Sequence, residues 1–296
     1  MIVAVASGKG GTGKTTVSAA LVSVWEAPVI ATDLDVEEPN LHLFLRPEIS
    51  ETIKAFLEVP VADETRCTYC AQCADLCQFK AISVLGETLV TFPEMCHGCG
   101  GCLSICPEGA LSAGTRELGE ISWGRADGAA FLMGRLRVGE AMSPPLMRAV
   151  KGKLNEMIAE KSADVIIDAP PGVSCPAVNA VMDADVILLV TEPTPFGLYD
   201  LKLAHKAFQP LGKPMGAVIN RAGLGSTSVY DYCSESGVDI IAEIPYDPDI
   251  AKAYAGGNVI TEVSDNLQTL IRNLATRVRS MAKNTAKNNV REALHD

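Results

Sequence analysis

Short apolar runs alternate along this chain with longer stretches in which apolar residues return every three or four positions. Residues 2–6, 28–32, 165–168, 186–190, 215–219 and 239–244 are near-continuous apolar runs of strand length, the pattern of strands buried on both faces. Between them, residues 14–26, 143–161, 198–209, 227–236 and 262–282 carry a helical period. Pro144 and Pro145 suit a helix first turn, where a missing N–H costs nothing. Strands alternating with helices predict an α/β fold, a mostly parallel sheet with helices on both faces. Residues 51–58 read as a short helix, and 117–138 as short strands with glycine turns forming a hairpin. Leu267, Leu270, Ile271, Leu274, Val278 and Met281 form one stripe, which predicts a last helix packed on the sheet; residues 284–296 are polar and read as a frayed end.

The first strand runs into Ser7-Gly8-Lys9-Gly10-Gly11-Thr12-Gly13-Lys14-Thr15-Thr16, and a helix follows. Strand, glycine-rich turn and helix is the setting of a phosphate loop, with the spacing G-x-x-x-x-G-K-T read at Gly8, Gly13, Lys14 and Thr15. Glycines let the backbone N–H groups from Gly8 to Thr16 turn inward around phosphate oxygens. The helix N-terminus adds partial positive charge. Lys14 is expected to reach the β- and γ-phosphates, and the Thr15 hydroxyl to hold Mg²⁺.

Two apolar strands end in aspartates. Residues 28–32 lead into Asp33-Leu34-Asp35, and 165–167 into Asp168-Ala169-Pro170-Pro171-Gly172. Carboxylates two residues apart at a strand end can both face a bound Mg²⁺ and its waters. Asp168 has the position of a Walker-B metal ligand.

In the middle of the chain the texture changes. Cys67, Cys70, Cys73 and Cys77 are followed by Cys96, Cys99, Cys102 and Cys106-Pro107, each cysteine recurring 29 residues later. Ala81-Ile82-Ser83 aligns with Ala110-Leu111-Ser112, so the repeat extends beyond the thiols and implies a pseudo-twofold unit. The spacing matches the bacterial ferredoxin run for two [4Fe–4S] clusters, in which the fourth cysteine of each run serves the other cluster. Cys67, Cys70, Cys73 and Cys106 would then hold one cluster, and Cys96, Cys99, Cys102 and Cys77 the other. A zinc ribbon has no use for the third cysteine of each run. Gln78 replaces the proline of the pattern, and His97 reads as a surface residue. Cys175 reads as a packed small residue or a redox-sensitive thiol.

The net charge of −11 argues against a nucleic-acid groove. No apolar run reaches the roughly 18–20 residues of a membrane span, and the chain enters a strand at once, without a secretory leader. These features point to a cytoplasmic protein in which the spacing of the cysteines, ten in all, reads as ligation rather than disulfides.

The form K-G-G-T-G-K-T-T, with Lys9 early in the loop, resembles the deviant-Walker ATPases of the MinD/Mrp superfamily, here with an inserted ferredoxin domain. The resemblance implies that Lys9 reaches across an ATP-dependent dimer, either a homodimer or a heterodimer with a paralogue. It implies that Asp33-Leu34-Asp35 with Asn40-Leu41 is the first switch, with Asp35 beside the attacking water and Asp33 near the metal shell. Gly172 would offer its N–H to the γ-phosphate, and the adenine would lie between Asn220 and the turn Pro245, Tyr246, Asp247. The expected domains are an ATPase part over 1–59, a two-cluster ferredoxin-like insert over 60–116, and the rest of the ATPase over 117–296. The function so implied is an Mg²⁺-dependent ATPase whose dimer switch, driven by ATP and ADP, is coupled to electron transfer through two [4Fe–4S] clusters to a redox protein partner. An iron–sulfur carrier of the Mrp type and a MinD-like positioning ATPase are the alternatives.

Overall fold

The computed structural model describes residues 1–292, with side chains through residue 284. In chain order the elements are β1 (Ile2–Ala6), α1 (Lys14–Ser23), β2 (Val29–Asp33), α2 (Leu41–Leu45), β3 (Glu48–Ala62), α3 (Gln72–Leu76), β4 (Ile82–Val84) and β5 (Leu89–Thr91). Then come α4 (Gly101–Ile105), β6 (Leu111–Ala126), β7 (Ala129–Leu136), α5 (Ser143–Glu160), β8 (Asp164–Asp168), α6 (Cys175–Val181) and β9 (Val186–Thr191). The chain closes with α7 (Pro195–Phe208), β10 (Met215–Ala222), α8 (Ser228–Ser236), β11 (Asp239–Pro245), α9 (Pro248–Ala255) and α10 (Asp265–Glu292). The frayed end expected over 284–296 falls almost wholly outside the described side chains, and its last four residues outside the described residues.

Nine strands form one sheet in the order β11-β10-β9-β1-β8-β2-β7-β6-β3. From β11 to β7 every neighbouring pair is parallel; β6 runs opposite to the other eight strands of this sheet and pairs antiparallel with both β7 and β3. The central strands bury both faces. Val3, Val5, Ile166, Val186, Leu188 and Val190 point to a core shared with α1 and α10, including Leu21, Ile271 and Leu274. Ala4, Ala6, Val165, Ile167, Ile187 and Leu189 point to the opposite core, shared with α5, α6 and α7. Period-two alternation of side chains therefore yields two apolar layers from one run of apolar residues.

Two expectations change on the outer side of the sheet. Residues 51–58 are not a helix but the middle of β3, a 15-residue strand. Glu51, Lys54, Ala55, Leu57 and Glu58 are good helix formers, yet Ala55, Leu57 and Val59 are buried while Phe56 and Glu58 are exposed. Pairing with β6 along nearly its whole length overrides local preference. The hairpin over 117–138 is present but far longer than short strands. β6 and β7 meet at Asp127-Gly128, both with positive φ, the geometry of a two-residue hairpin turn.

Strand β6 overshoots its partner. Leu136, the last residue of β7, pairs with Gly119, so Leu111 to Leu118 run on beside β3 alone. At about 3.4 Å per residue that extension is about 25 Å long. It leaves from the carboxyl edge of the parallel strands, since β7 pairs in parallel with β2 through Asp33↔Met133. Residues 63–110 lie between the paired ends Ala62 and Leu111, and both expected domain boundaries, at 60 and 116, fall inside strands. This segment has its own small core of Cys73, Ile82, Leu89 and Leu111.

Burial sets a stability test. Ile166→Ala, at a fully buried site in β8, is expected to cost about 2–5 kcal/mol in urea unfolding. Ile53→Ala, on the exposed part of β3, should stay within about 0.5 kcal/mol.

Candidate functional site

The loop between β1 and α1 can follow its path only with glycine at two places. Gly13, in the left-handed region at φ 98°, precedes α1, and a Cβ there would fall 2.3 Å from Asn220 Nδ2. A Cβ on Gly8 would fall 2.2 Å from the Asp200 carbonyl oxygen. Asn220 Nδ2 donates to the Thr12 carbonyl at 2.8 Å, tying the end of β10 to the loop, and Asn220 Oδ1 accepts from the Arg221 N–H.

A cavity of about 350 Å³ opens beside this loop at the carboxyl ends of the strands. Such an end is where open parallel sheets take ligands. Gly10, Gly11, Gly13, Lys14, Thr15, Thr16 and Asp35 line it, together with Asn220, Pro245, Tyr246 and Asp247. The expected phosphate and adenine contacts therefore border one space. Gly8, Lys9, Thr12 and Gly172 do not line it, and the Gly172 N–H is already donated to the Ser7 carbonyl at 3.0 Å. Thr12 Oγ1 is buried without a partner. Asn40, expected as part of the first switch, also borders the cavity, as do Glu38 and Tyr254, which the sequence did not single out. Asp247, capping α9 through the Asp249 N–H, and Pro248 in its first turn are the signals that mark that helix and hence Tyr254.

Three carboxylates surround Lys14. Asp168 accepts from Thr15 Oγ1 at 2.7 Å and from Ser18 Oγ at 3.0 Å. Asp33 is fully buried and accepts from the Asp35 and Leu41 N–H groups at 3.0 and 2.9 Å, which pins the segment following β2. Burial, then the nearby Asp168 charge, holds Asp33 well above the usual carboxylate range. The same two causes push Asp35 up to about 6. Burial raises Asp168 against the opposing pull of Thr15, Lys14 and Ser18, and burial lowers Lys14 against the three carboxylates. Three acids and one ammonium leave a surplus of buried negative charge, which a divalent cation would offset. The donor chemistry at Thr15 and Asp168, hard oxygens beside a phosphate loop, fits Mg²⁺.

Lys9 faces away from the cavity. Its ammonium lies 3.1 Å from Glu192 and 3.7 Å from Asp200, with the exposed Phe196 ring 5.6 Å away. Arg221 reaches the same Glu192 at 2.7 Å. Burial favours protonation of Glu192, but the Lys9 hydrogen bond and the charges of Lys9 and Arg221 hold it below the usual range. Glu192 and Asp200 carry no local motif, and pairing across the fold is their only signal.

The eight cysteines of the two runs fall into two groups. Cys67, Cys70, Cys73 and Cys106 line one cavity. Cys77, Cys96, Cys99 and Cys102 line a second, larger one of about 320 Å³, which Cys73 also borders. These are the two sets that the spacing predicts. The repeat extends to the backbone. Tyr69, Ala71 and Lys80 have positive φ, and residues 29 further on, Gly98, Gly100 and Gly109, match them within about 10°. The Tyr69 and Ala81 N–H groups donate to Cys67 and Cys77 Sγ, and the Gly98 and Ala110 N–H groups donate to Cys96 and Cys106 Sγ. Non-glycine residues held in the left-handed region mark a backbone whose shape is imposed by its site. Among the described residues, no three His, Cys, Asp or Glu side chains converge to hold a single metal ion. His97 is exposed and stacks on Phe79, with 3.4 Å between ring centroids. Cys175, expected to be packed or redox-sensitive, is exposed, whereas Cys233 is buried and its thiol is pushed up to about 11.

Comparison with known proteins agrees with the sheet and the loop. The model of the CobQ/CobB/MinD/ParA nucleotide binding domain matches residues 3–261. The uncharacterized protein MJ0579 of Methanocaldococcus jannaschii is 31% identical over 278 residues, covering 90% of this chain and 93% of that protein. Cell division ATPase MinD of Pyrococcus furiosus superposes with a TM-score of 0.58 at 22% identity, covering 94% of this chain and 98% of that one. The septum site-determining protein MinD of Pyrococcus horikoshii, complexed with Mg-ADP, gives 0.57 at 20% identity, covering 94% and 95%. The family description concerns nucleotide binding and does not mention iron–sulfur clusters. With its phosphate loop, its strand-end carboxylates and this match over most of its length, the chain belongs to the CobQ/CobB/MinD/ParA nucleotide-binding family.

Proposed function

We propose that this chain is a nucleotide-driven dimer switch whose inserted cysteine segment holds two [4Fe–4S] clusters, so that ATP hydrolysis gates electron transfer to a redox protein partner. The comparisons support the switch, which this reading shares with a MinD-like positioning ATPase, and they favour that alternative over electron transfer. The observation that carries the electron half is the gathering of the eight thiols around two cavities, each lined by three cysteines of one run and the last cysteine of the other, with Cys73 bordering both. A single zinc ion would draw four ligands to one point. A cubane carries a thiolate at each of four separate corners, and thiols spread around a cavity, with backbone N–H groups donating to sulfur, suit that arrangement.

The residues divide the work. The loop N–H groups and Lys14 hold the phosphates, and Thr15 and Asp168 would hold Mg²⁺, which supplies charge neutralisation on the phosphoryl oxygens. Asp33 fixes the segment carrying Asp35, which projects toward the cavity and orients the attacking water or accepts its proton. Asn220 and the Pro245–Asp247 turn would receive the adenine. Lys9 would leave Glu192 and Asp200 to reach a nucleotide held by a second copy or a paralogue. The segment 63–110 would ride on the β3–β6 extension, on the same edge of the sheet as the nucleotide, so dimer closure moves it. The clusters supply one-electron storage, and the chain supplies eight thiolates and their N–H donors.

A MinD-like positioning role predicts ATP-dependent sedimentation with anionic liposomes, carried by α10. Sedimentation together with an iron-free protein would replace the electron reading by that one. Lys14→Ala should abolish ATP turnover while iron stays at about eight per chain. Loss of both together would mean that the two parts are not separable. Cys70→Ser and Cys99→Ser should each lower iron to about four per chain in anaerobically reconstituted protein. Full iron in both variants, or zinc in place of iron, would remove the cluster assignment.

A further inference from the structure

Where β6 leaves the sheet, four charged side chains join the nucleotide edge to the cysteine segment. The Leu136 N–H donates to the Val36 carbonyl at 2.8 Å, which ties the end of β7 to the switch segment containing Asp35. The next residue, Arg137, donates its backbone N–H to Leu118 and its Nε to the Glu117 carbonyl at 2.7 Å. Its guanidinium faces Glu140 at 3.6 Å and Glu94 at 3.7 Å. Arg116, buried on β6, pairs with buried Glu140, approaches Glu94 at 3.5 Å, and reaches the Cys96 carbonyl at 3.5 Å. Glu140 also accepts from the Ala141 and Met142 N–H groups at the entry to α5. A continuous set of contacts thus runs from Val36 through β7 to Cys96, the first thiol of the second run.

We propose that Arg116, held by Glu140 and flanked by Arg137, is a positioning residue that passes movement of the switch segment to the Cys96 loop. A buried ion pair is a poor source of stability, because desolvation offsets most of its attraction, and apolar replacements of both partners are often neutral. What a fixed guanidinium fork does provide is geometry, by orienting a carbonyl and two carboxylates at once. Here it links residues 94–96 to the same β7 end that hydrogen-bonds Val36. The Met95 N–H donates to Phe92, the Cys96 N–H to Pro93, and the Gly98 N–H to Cys96 Sγ, so the loop carries its own reporters. The inference rests on the reading of residues 33–41 as a nucleotide switch. Its consequence for electrons rests in addition on the clusters.

Amide exchange of the full chain, followed by mass spectrometry with Mg²⁺ and either ADP or a non-hydrolysable ATP analogue, tests it. In the wild type, exchange over 94–98 should differ by about threefold between the two nucleotides, the size of a modest coupling. In Arg116→Met/Glu140→Met that difference should vanish while peptides over 33–41 still respond. Arg116→Lys, which keeps the charge but loses the fork, should weaken the response and serves if the double variant folds poorly. A response over 94–98 that persists in both variants overturns the inference. So does its absence in a wild type whose 33–41 segment responds. A wild type in which 33–41 ignores nucleotide overturns the switch reading and the inference together. Iron content reports separately, since a cluster-free protein with an intact response keeps the linkage and loses only the electron reading.

Discussion

Asp168 ends the strand next to β1 and receives hydroxyls from Thr15 and Ser18, one on each carboxylate oxygen. This contact fixes α1 against β8 and brings Lys14 among two buried acids, Asp33 and Asp168, and the half-buried Asp35. Taking that many charges out of water is expensive unless a compensating ion arrives. A divalent cation, as proposed for Thr15 and Asp168, would supply that compensation. The switch segment hangs on Asp33, which holds Leu41 and Asp35 by their backbone N–H groups, so any change in charge at the site is felt by the strand-end loop.

The rest of the molecule arranges what that loop can reach. Val36 is hydrogen-bonded to Leu136, and β7 to β6, so the extension bearing the cysteines starts from the strand beside the switch. On the other side, Lys9 and Arg221 share Glu192. The loop lysine that the family resemblance sends to a second subunit is here neutralised within its own chain. Any dimer that recruits it must first compete with two carboxylates at close range.

Features written in local spacing were legible in the sequence. The phosphate loop, the aspartates at the ends of the apolar strands and the spacing within each cysteine run all follow from residues within a few positions of one another. The twist in the reading came where distant pairing decides. Residues 51–58 have helix-forming composition, and only β6, more than fifty residues later, makes them a strand. Glu192 and Asp200 reach Lys9 only through the packing of β9 and α7, and nothing in their immediate sequence marks them, whereas the cap that starts α9 is the one local signal for Tyr254. The matched left-handed positions in the cysteine runs were half visible. The glycines at 98, 100 and 109 announce them, whereas Tyr69, Ala71 and Lys80 conceal them.

The pairing of Ala62 with Leu111 has an evolutionary reading. Opposed residues in an antiparallel ladder sit about 5 Å apart, so the 48 residues between them begin and end at nearly one point. A segment with adjoining termini can be spliced into a hairpin without disturbing the strands that receive it. Removing it requires only a tight turn between the same two residues. The cysteine segment has the anatomy of a graft, set on a hairpin that would close without it.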